Sequence, residues 1–145
     1  MKTALLMFVC AALLGAPQAC GQRQGVKGEV LWLSGNQMPG PGRSVSPGLG
    51  IKREIYIHKV ATLQNTQQNA GFFTAINTEL VATTTSREDG SFKVKLPPGT
   101  YSVLVKEPGG LFANLFDDMG RINPVIVKSN EFTWLTVTVD YEAAF

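Results

Sequence analysis

The chain reads as an all-β protein, a single sandwich of about seven antiparallel strands. Three observations lead there: apolar residues recur at every second position in several short runs, turns rich in Gly, Pro and Asn separate the runs, and no long segment keeps a helical period. Composition agrees. Of 145 residues, 44% are hydrophobic and 17% charged, with 15 Gly and 8 Pro, the profile of a globular chain rather than a disordered or collagen-like one.

The N-terminus is an export address. Lys2 precedes an uncharged apolar run from Ala4 to Ala16, followed by Pro17, Gln18, Ala19 and Cys20, the layout of a secretory signal peptide over residues 1–19. The run is shorter than the roughly 20 apolar residues a membrane-spanning helix needs. Cys20, placed directly after the small Ala19, resembles the acylated cysteine of bacterial lipoprotein signals. That resemblance implies a lipid anchor on Cys20, a short tether over 20–25, and an outer-membrane lipoprotein facing the periplasm or the cell surface. The alternative is cleavage after Gly21, which also follows a small-x-small pattern and releases a soluble secreted chain starting at Gln22. On either route Cys10 leaves with the signal, so the mature domain has no disulfide and rests on its core.

The domain, 26–145, begins with a strand from Val26 to Leu33, in which Val26, Val30 and Trp32 oppose Lys27 and Glu29. Ser34 to Gly50 holds five Gly, three Pro and three Ser without periodicity and reads as a long loop. From Ile51 to Val60 a period of two returns, with Ile51, Ile55 and Ile57 on a buried face and Lys52, Glu54, Tyr56 and His58 on a wet one. Leu63 to Gly71 reads as a Gln/Asn-rich loop, and Phe72 to Ile76 and Leu80 to Thr85 as two strands. Glu88-Asp89-Gly90 forms a turn into Phe92, Val94 and Leu96. Pro97-Pro98-Gly99 turns the chain again into Tyr101, Val103 and Val105, so this pair is expected to form a hairpin. Across Gly109 to Asn123 the apolar Leu111, Phe112, Leu115, Phe116 and Met119 fall at spacings of three and four, which predicts a helical turn or folded flap. Val125 to Val127 and Phe132 to Tyr141 complete the set. In the last strand Leu135, Val137, Val139 and Tyr141 face one way and Trp134, Thr136, Thr138 and Asp140 the other.

The stretch Asp89-Gly90-Ser91-Phe92-Lys93-Val94-Lys95-Leu96-Pro97-Pro98-Gly99-Thr100-Tyr101-Ser102-Val103 resembles the motif of carboxypeptidase regulatory-like domains, which are grouped with transthyretin-like and collagen-adhesin B-type modules. The resemblance implies a seven-stranded Greek-key sandwich of prealbumin-like type, with the Tyr inserted into the core. Short exported bacterial proteins of this kind also carry a Gly-Asn-Gln-Met-Pro-Gly loop like Gly35 to Gly40 and an ending like Ile122-Asn123-Pro124-Val125 through Tyr141. The implied likeness is to an accessory β-domain and not to a peptidase, which holds zinc with two His and a Glu, whereas His58 is the single histidine here. The hydrolases grouped with transthyretin need several His and a C-terminal Tyr-Arg-Gly-Ser, which this chain lacks.

Chemistry-bearing residues are few. His58 is expected to be a solvated or edge histidine. Asp117 and Asp118, beside Asn114 and Asn123, lack the alternate-position pattern of a calcium loop and are expected to serve turns or caps. Lys27, Glu54 and Asp140 are what an adhesin-type internal amide bond would have to use, and salt-bridge or solvent-facing roles are expected for them instead. His58 has no Ser in a Gly-x-Ser-x-Gly elbow to serve, and Gly40-Pro41-Gly42 and Gly48 to Gly50 lack the Lys and helix start of a phosphate loop. No enzyme activity and no cofactor are expected. Thirteen basic against eleven acidic residues, with no run of like charge, argue against nucleic acid as a partner, and with Lys2 removed the net charge is close to +1. The expectation is a non-catalytic envelope module that binds or braces an envelope protein or a glycan. Candidate surfaces are the loop residues Asn36, Gln37 and Met38 and the flap residues Phe112, Phe116 and Met119. For a glycan the stacking platform would be Trp32 or Trp134, and a free sheet edge would serve an envelope assembly.

Overall fold

The computed structural model describes residues 23–145, so the signal peptide and Cys20 lie outside the described residues. Two sheets are built from β1 (Gly25–Asn36), β2 (Leu49–Gly50), β3 (Glu54–Lys59), β4 (Thr66–Asn69), β5 (Phe72–Ile76), β6 (Leu80–Thr85), β7 (Ser91–Lys95), β8 (Gly99–Glu107), β9 (Gly110–Phe112), β10 (Pro124–Val127) and β11 (Phe132–Ala144). The all-β sandwich is therefore present, with eleven strands rather than seven among the described residues. In sheet one, β1 is the spine. One edge of β1 pairs with β11 from Gly25↔Phe132 to Asn36↔Ala144, and the other pairs with β7 and then β2. The β1–β11 pair is parallel, a departure from the antiparallel expectation; every other ladder is antiparallel. Sheet two runs β4-β5-β9-β8-β3-β6, with β10 on the first part of β8.

The period-two pattern places its residues correctly. Val26, Val30, Val137 and Val139 from sheet one meet Ile55, Ile57, Val103 and Val105 from sheet two, together with Phe92, Tyr101 and Phe112. Each such fully buried side chain contributes about 1.5–3 kcal/mol against exposure. A second cluster, Ala61, Phe73, Leu104, Ala113 and Ile122, forms around Leu104, whose neighbours Val103 and Val105 belong to the main core. Segments 60–79 and 109–123 supply four of its five members and so cover the outer face of sheet two around Leu104. β8 is thus buried on both faces, from Tyr101 to Val105 without a break, as a central strand should be.

Several expectations need correction. The segments around Pro97-Pro98-Gly99 are not a hairpin: β7 pairs with β1 in sheet one, while β8 pairs with β3, β9 and β10 in sheet two. Two prolines that donate no backbone hydrogen bond suit a crossing between sheets better than a ladder-closing turn. Leu96 plugs the core at the crossing, and the Tyr101 hydroxyl donates to Pro97 O at 2.6 Å. Alternation reports the face a residue takes, and two strands facing across a sandwich alternate as a hairpin pair does. The Gln/Asn-rich loop is a 3₁₀ turn, Leu63–Asn65, followed by β4. The flap region contains no helix; β9 pairs into sheet two, and the rest is a turned segment held by an isolated Phe116↔Ile122 bridge. β1 extends to Asn36 and β2 adds a short pairing at Leu49–Gly50, so the Gly/Pro loop is shorter than the spacing suggests.

Candidate binding surface

The Gly/Pro loop leaves β1 beside the end of β11. Gln37 N–H donates to Ala144 O at 2.8 Å, its side-chain amide donates to Ser34 O at 2.8 Å, and Met38 N–H donates to the Asn36 side-chain oxygen at 2.8 Å. Asn36 and Gln37 thus use their side chains to shape the loop, Asn36 while remaining exposed, and Met38 is presented outward, 53% exposed. The flap residues divide. Phe112 belongs to the main core, Phe116 lies 6.4 Å from the Phe73 ring and stays partly exposed, and Met119 is exposed. The three do not form one surface.

The outer face of sheet one is different. Register places Lys93, Lys27 and Trp134 in one row across β7, β1 and β11, with Lys95, Gly25 and Phe132 in the next. Because Gly25 carries no side chain, Lys93 reaches across the central strand, and its Nζ sits 4.3 Å from the Phe132 ring centre. Trp134 is 59% exposed, and its ring N–H donates to Thr136 Oγ1 at 3.2 Å, which sets the plane of the indole. Beside it lies a trough of about 440 Å³ with Gly28 and Phe92 among its lining residues, bordered by Trp134, Lys27, Lys93 and, beyond β7, Thr84, Thr85 and Arg87. Sequence reasoning singled out Trp134, and Lys27 in a different role, but not the grouping of the three cations. Their signal was the outward parity of Lys27 and Lys93, which carries information once β7, β1 and β11 are known to be neighbours.

A charged bracket ties the two sheets together at the other end. The Glu107 carboxylate, fully enclosed, accepts Arg53 Nε at 2.8 Å and the Tyr141 hydroxyl at 2.9 Å. Tyr141 packs edge-on against Trp32 at 5.3 Å and Phe72 at 5.0 Å, and Arg53 lies 5.8 Å from the Trp32 ring centre. Burial raises the Tyr141 phenol above its ordinary range, and the hydrogen bond to the Glu107 carboxylate adds to the rise. Trp32 is occupied in this packing, which leaves Trp134 as the platform of the two tryptophans.

The remaining chemistry-bearing residues are dispersed. His58 is not solvated but buried, 8% exposed, with Nδ1 3.0 Å from Thr78 O; it keeps the parity of Tyr56, opposite Ser102 on β8, and is covered there by the segment that carries Thr78. Asp117 accepts the backbone N–H groups of Met119 and Arg121 and the Arg121 side chain, the turn role expected of it. Partial burial acts to raise its carboxyl, yet the hydrogen bonds and charge of Arg121 outweigh that and hold it below the ordinary value. Asn123 donates to Val103 O and Asn114 to Asp140, so these side chains do not converge with Asp117. Glu54 pairs with Lys106 at 3.6 Å, and Lys27, on the outer face of sheet one, is not brought to it or to Asp140. Among the described residues no three His, Cys, Asp or Glu side chains gather as metal ligands, and no helix is long and apolar enough to cross a membrane. Compared with protein-family models, curated proteins and solved structures, the chain matches none.

Proposed function

We infer that the chain is an exported, non-catalytic module of the cell envelope, a Greek-key domain of the carboxypeptidase regulatory-like type anchored through a lipid on Cys20, and that it holds its partner on the outer face of sheet one. The observation that carries this reading is the contrast between the two sheets. Segments 60–79 and 109–123 cover sheet two's outer face around Leu104 and leave the paired Glu54 and Lys106 beyond it, whereas the outer face of sheet one presents the exposed Trp134 beside Phe132, Lys27 and Lys93. Aromatic side chains beside long cationic ones match the make-up of an interface centre.

The test has two parts. Intact mass of detergent-extracted protein is compared with that of a Cys20→Ser variant; cleavage before Cys20 with acyl chains lost in the variant is expected, and an unmodified chain starting near Gln22 refutes the anchor. A photo-crosslinking residue at position 134 is expected to capture an envelope component that the same residue at position 119 does not. Equal capture from both refutes the choice of face.

A second reading, a glycan-binding module, is favoured by the exposed indole held in plane by Thr136. Quenching or enhancement of Trp134 fluorescence by oligosaccharides checks it, with Trp134→Phe as the control.

A further inference from the structure

We propose that the trough on the outer face of sheet one is a binding site for an acidic saccharide, with one sugar ring stacked on Trp134 and its carboxylate or phosphate held by Lys27, Lys93 and Arg87. This deepens the glycan reading above and rests on it. Four observations converge. The trough, about 440 Å³, is large enough for one or two sugar rings. One wall is an indole whose plane is fixed by its own hydrogen bond to Thr136, so a flat apolar surface is ready without further ordering. Thr84 and Thr85 are also among the lining residues, and a threonine hydroxyl can donate to or accept from a sugar hydroxyl.

The fourth observation is charge. Among the described residues seven of twelve Lys and Arg side chains make no ion pair with a carboxylate, and three of these seven, Lys27, Arg87 and Lys93, line the one trough. The nearest acids are accounted for. Asp89 is turned into its own loop, accepting the backbone N–H of Ser91 at 3.0 Å and the Ser91 hydroxyl at 2.6 Å, and Glu29 lies one row further along β1. Lys27 and Lys93 pair with no carboxylate and Arg87 has only the charge of Asp89 near it, so three cations around one aromatic wall leave the site short of negative groups. A neutral glycan would fill the wall and leave the cations unmatched; an anionic membrane would match the cations but has no use for a recess lined by hydroxyls.

The experiment is titration of the mature protein with a short oligogalacturonate, with the neutral galacto-oligosaccharide of equal length and with vesicles containing phosphatidylglycerol, read by calorimetry and tryptophan fluorescence. Binding of the oligogalacturonate is expected, about tenfold weaker with the neutral sugar, and weakened by added salt. Trp134→Ala and the pair Lys27→Gln/Lys93→Gln should each lower affinity about tenfold, while Trp134→Phe recovers part of the loss. Unchanged far-UV spectra show that the variants fold. Absence of oligogalacturonate binding, equal binding of the neutral sugar, or undiminished binding by Trp134→Ala overturns the proposal. Binding to vesicles alone also overturns it and assigns the cations to a lipid surface. Binding of the neutral sugar alone, lost in Trp134→Ala, keeps the glycan reading and removes the acidic specificity.

Discussion

Replacing Tyr141 by Phe removes one hydroxyl and leaves the ring packed on Trp32, Phe72 and Phe112. The hydroxyl is one of two donors to the Glu107 carboxylate, whose side chain is 0% exposed, so its loss leaves a buried anionic oxygen without its protein donor. Hydrogen bonds to charged groups contribute about 1.5–3 kcal/mol, and because Tyr141 is itself partly exposed and water can reach the gap, the lower end, about 1.5–2 kcal/mol, applies. With an unfolding entropy of about 2.1 cal/mol/K per residue over the described residues, this lowers Tm by about 6–8 °C in a thermal melt near neutral pH. The sign of the alkaline limb follows from the raised phenol. Its folded value lies above the unfolded one, so the neutral form is favoured by folding; that stability is fully present below about pH 10 and is lost as pH rises through the folded value. Tyr141→Phe should therefore flatten the alkaline fall in Tm. A variant whose Tm stays within about 1 °C of the parent, with the same alkaline limb, would show that the bracket contributes no net stability and refute this reasoning.

Other substitutions probe other layers. Glu107→Ala leaves Arg53 without its partner and opens a gap; because Arg53 is one-third exposed, the cost should fall near about 3 kcal/mol, measured by urea unfolding. Gly90→Ala places a methyl group against Val30 O at a φ of +88° and should cost about 1–3 kcal/mol with loss of amide protection at Val30, read by hydrogen exchange. Asp117→Asn should abolish an acid-side loosening of the flap: the depressed carboxyl stabilises above about pH 4 and loses that contribution as pH falls through its folded value, which hydrogen exchange across 115–123 at several pH values would follow. Ile57→Ala, at the centre of the main core, should cost about 2–5 kcal/mol in the same unfolding assay.

Much of the local structure was readable from period-two spacing. The facing of Val137 and Val139 against Trp134 and Thr136, the burial of Tyr101 and the turn at Asp89-Gly90 all follow from alternation and turn chemistry. Neighbour relations were not readable, because alternation carries no information about which strand lies alongside. That is why the Pro97-Pro98 crossing looked like a hairpin, why the parallel β1–β11 pair was unforeseen, and why Lys27, Lys93 and Arg87 did not read as a group. A net charge close to +1 hides a local excess that exists only after two separated segments, one with Lys27 and one with Arg87 and Lys93, are brought together. The covering of His58 and the enclosure of Glu107 were hidden for a related reason: each depends on a segment or a partner far away in the chain.

The parallel pairing of the first and last strands also has a mechanical side. β1 starts and β11 ends at opposite ends of one ladder, so tension between the N-terminal end of β1 and the C-terminal end of β11 runs along the strands and loads the registered pairs from Gly25↔Phe132 to Asn36↔Ala144 together. Sliding that ladder apart requires many bonds to fail at once, whereas tension across the short β1–β2 contact at Leu31 and Trp32 would peel it pair by pair. A module held by its N-terminal side and pulled from its far end is thus wired along its stiffest axis.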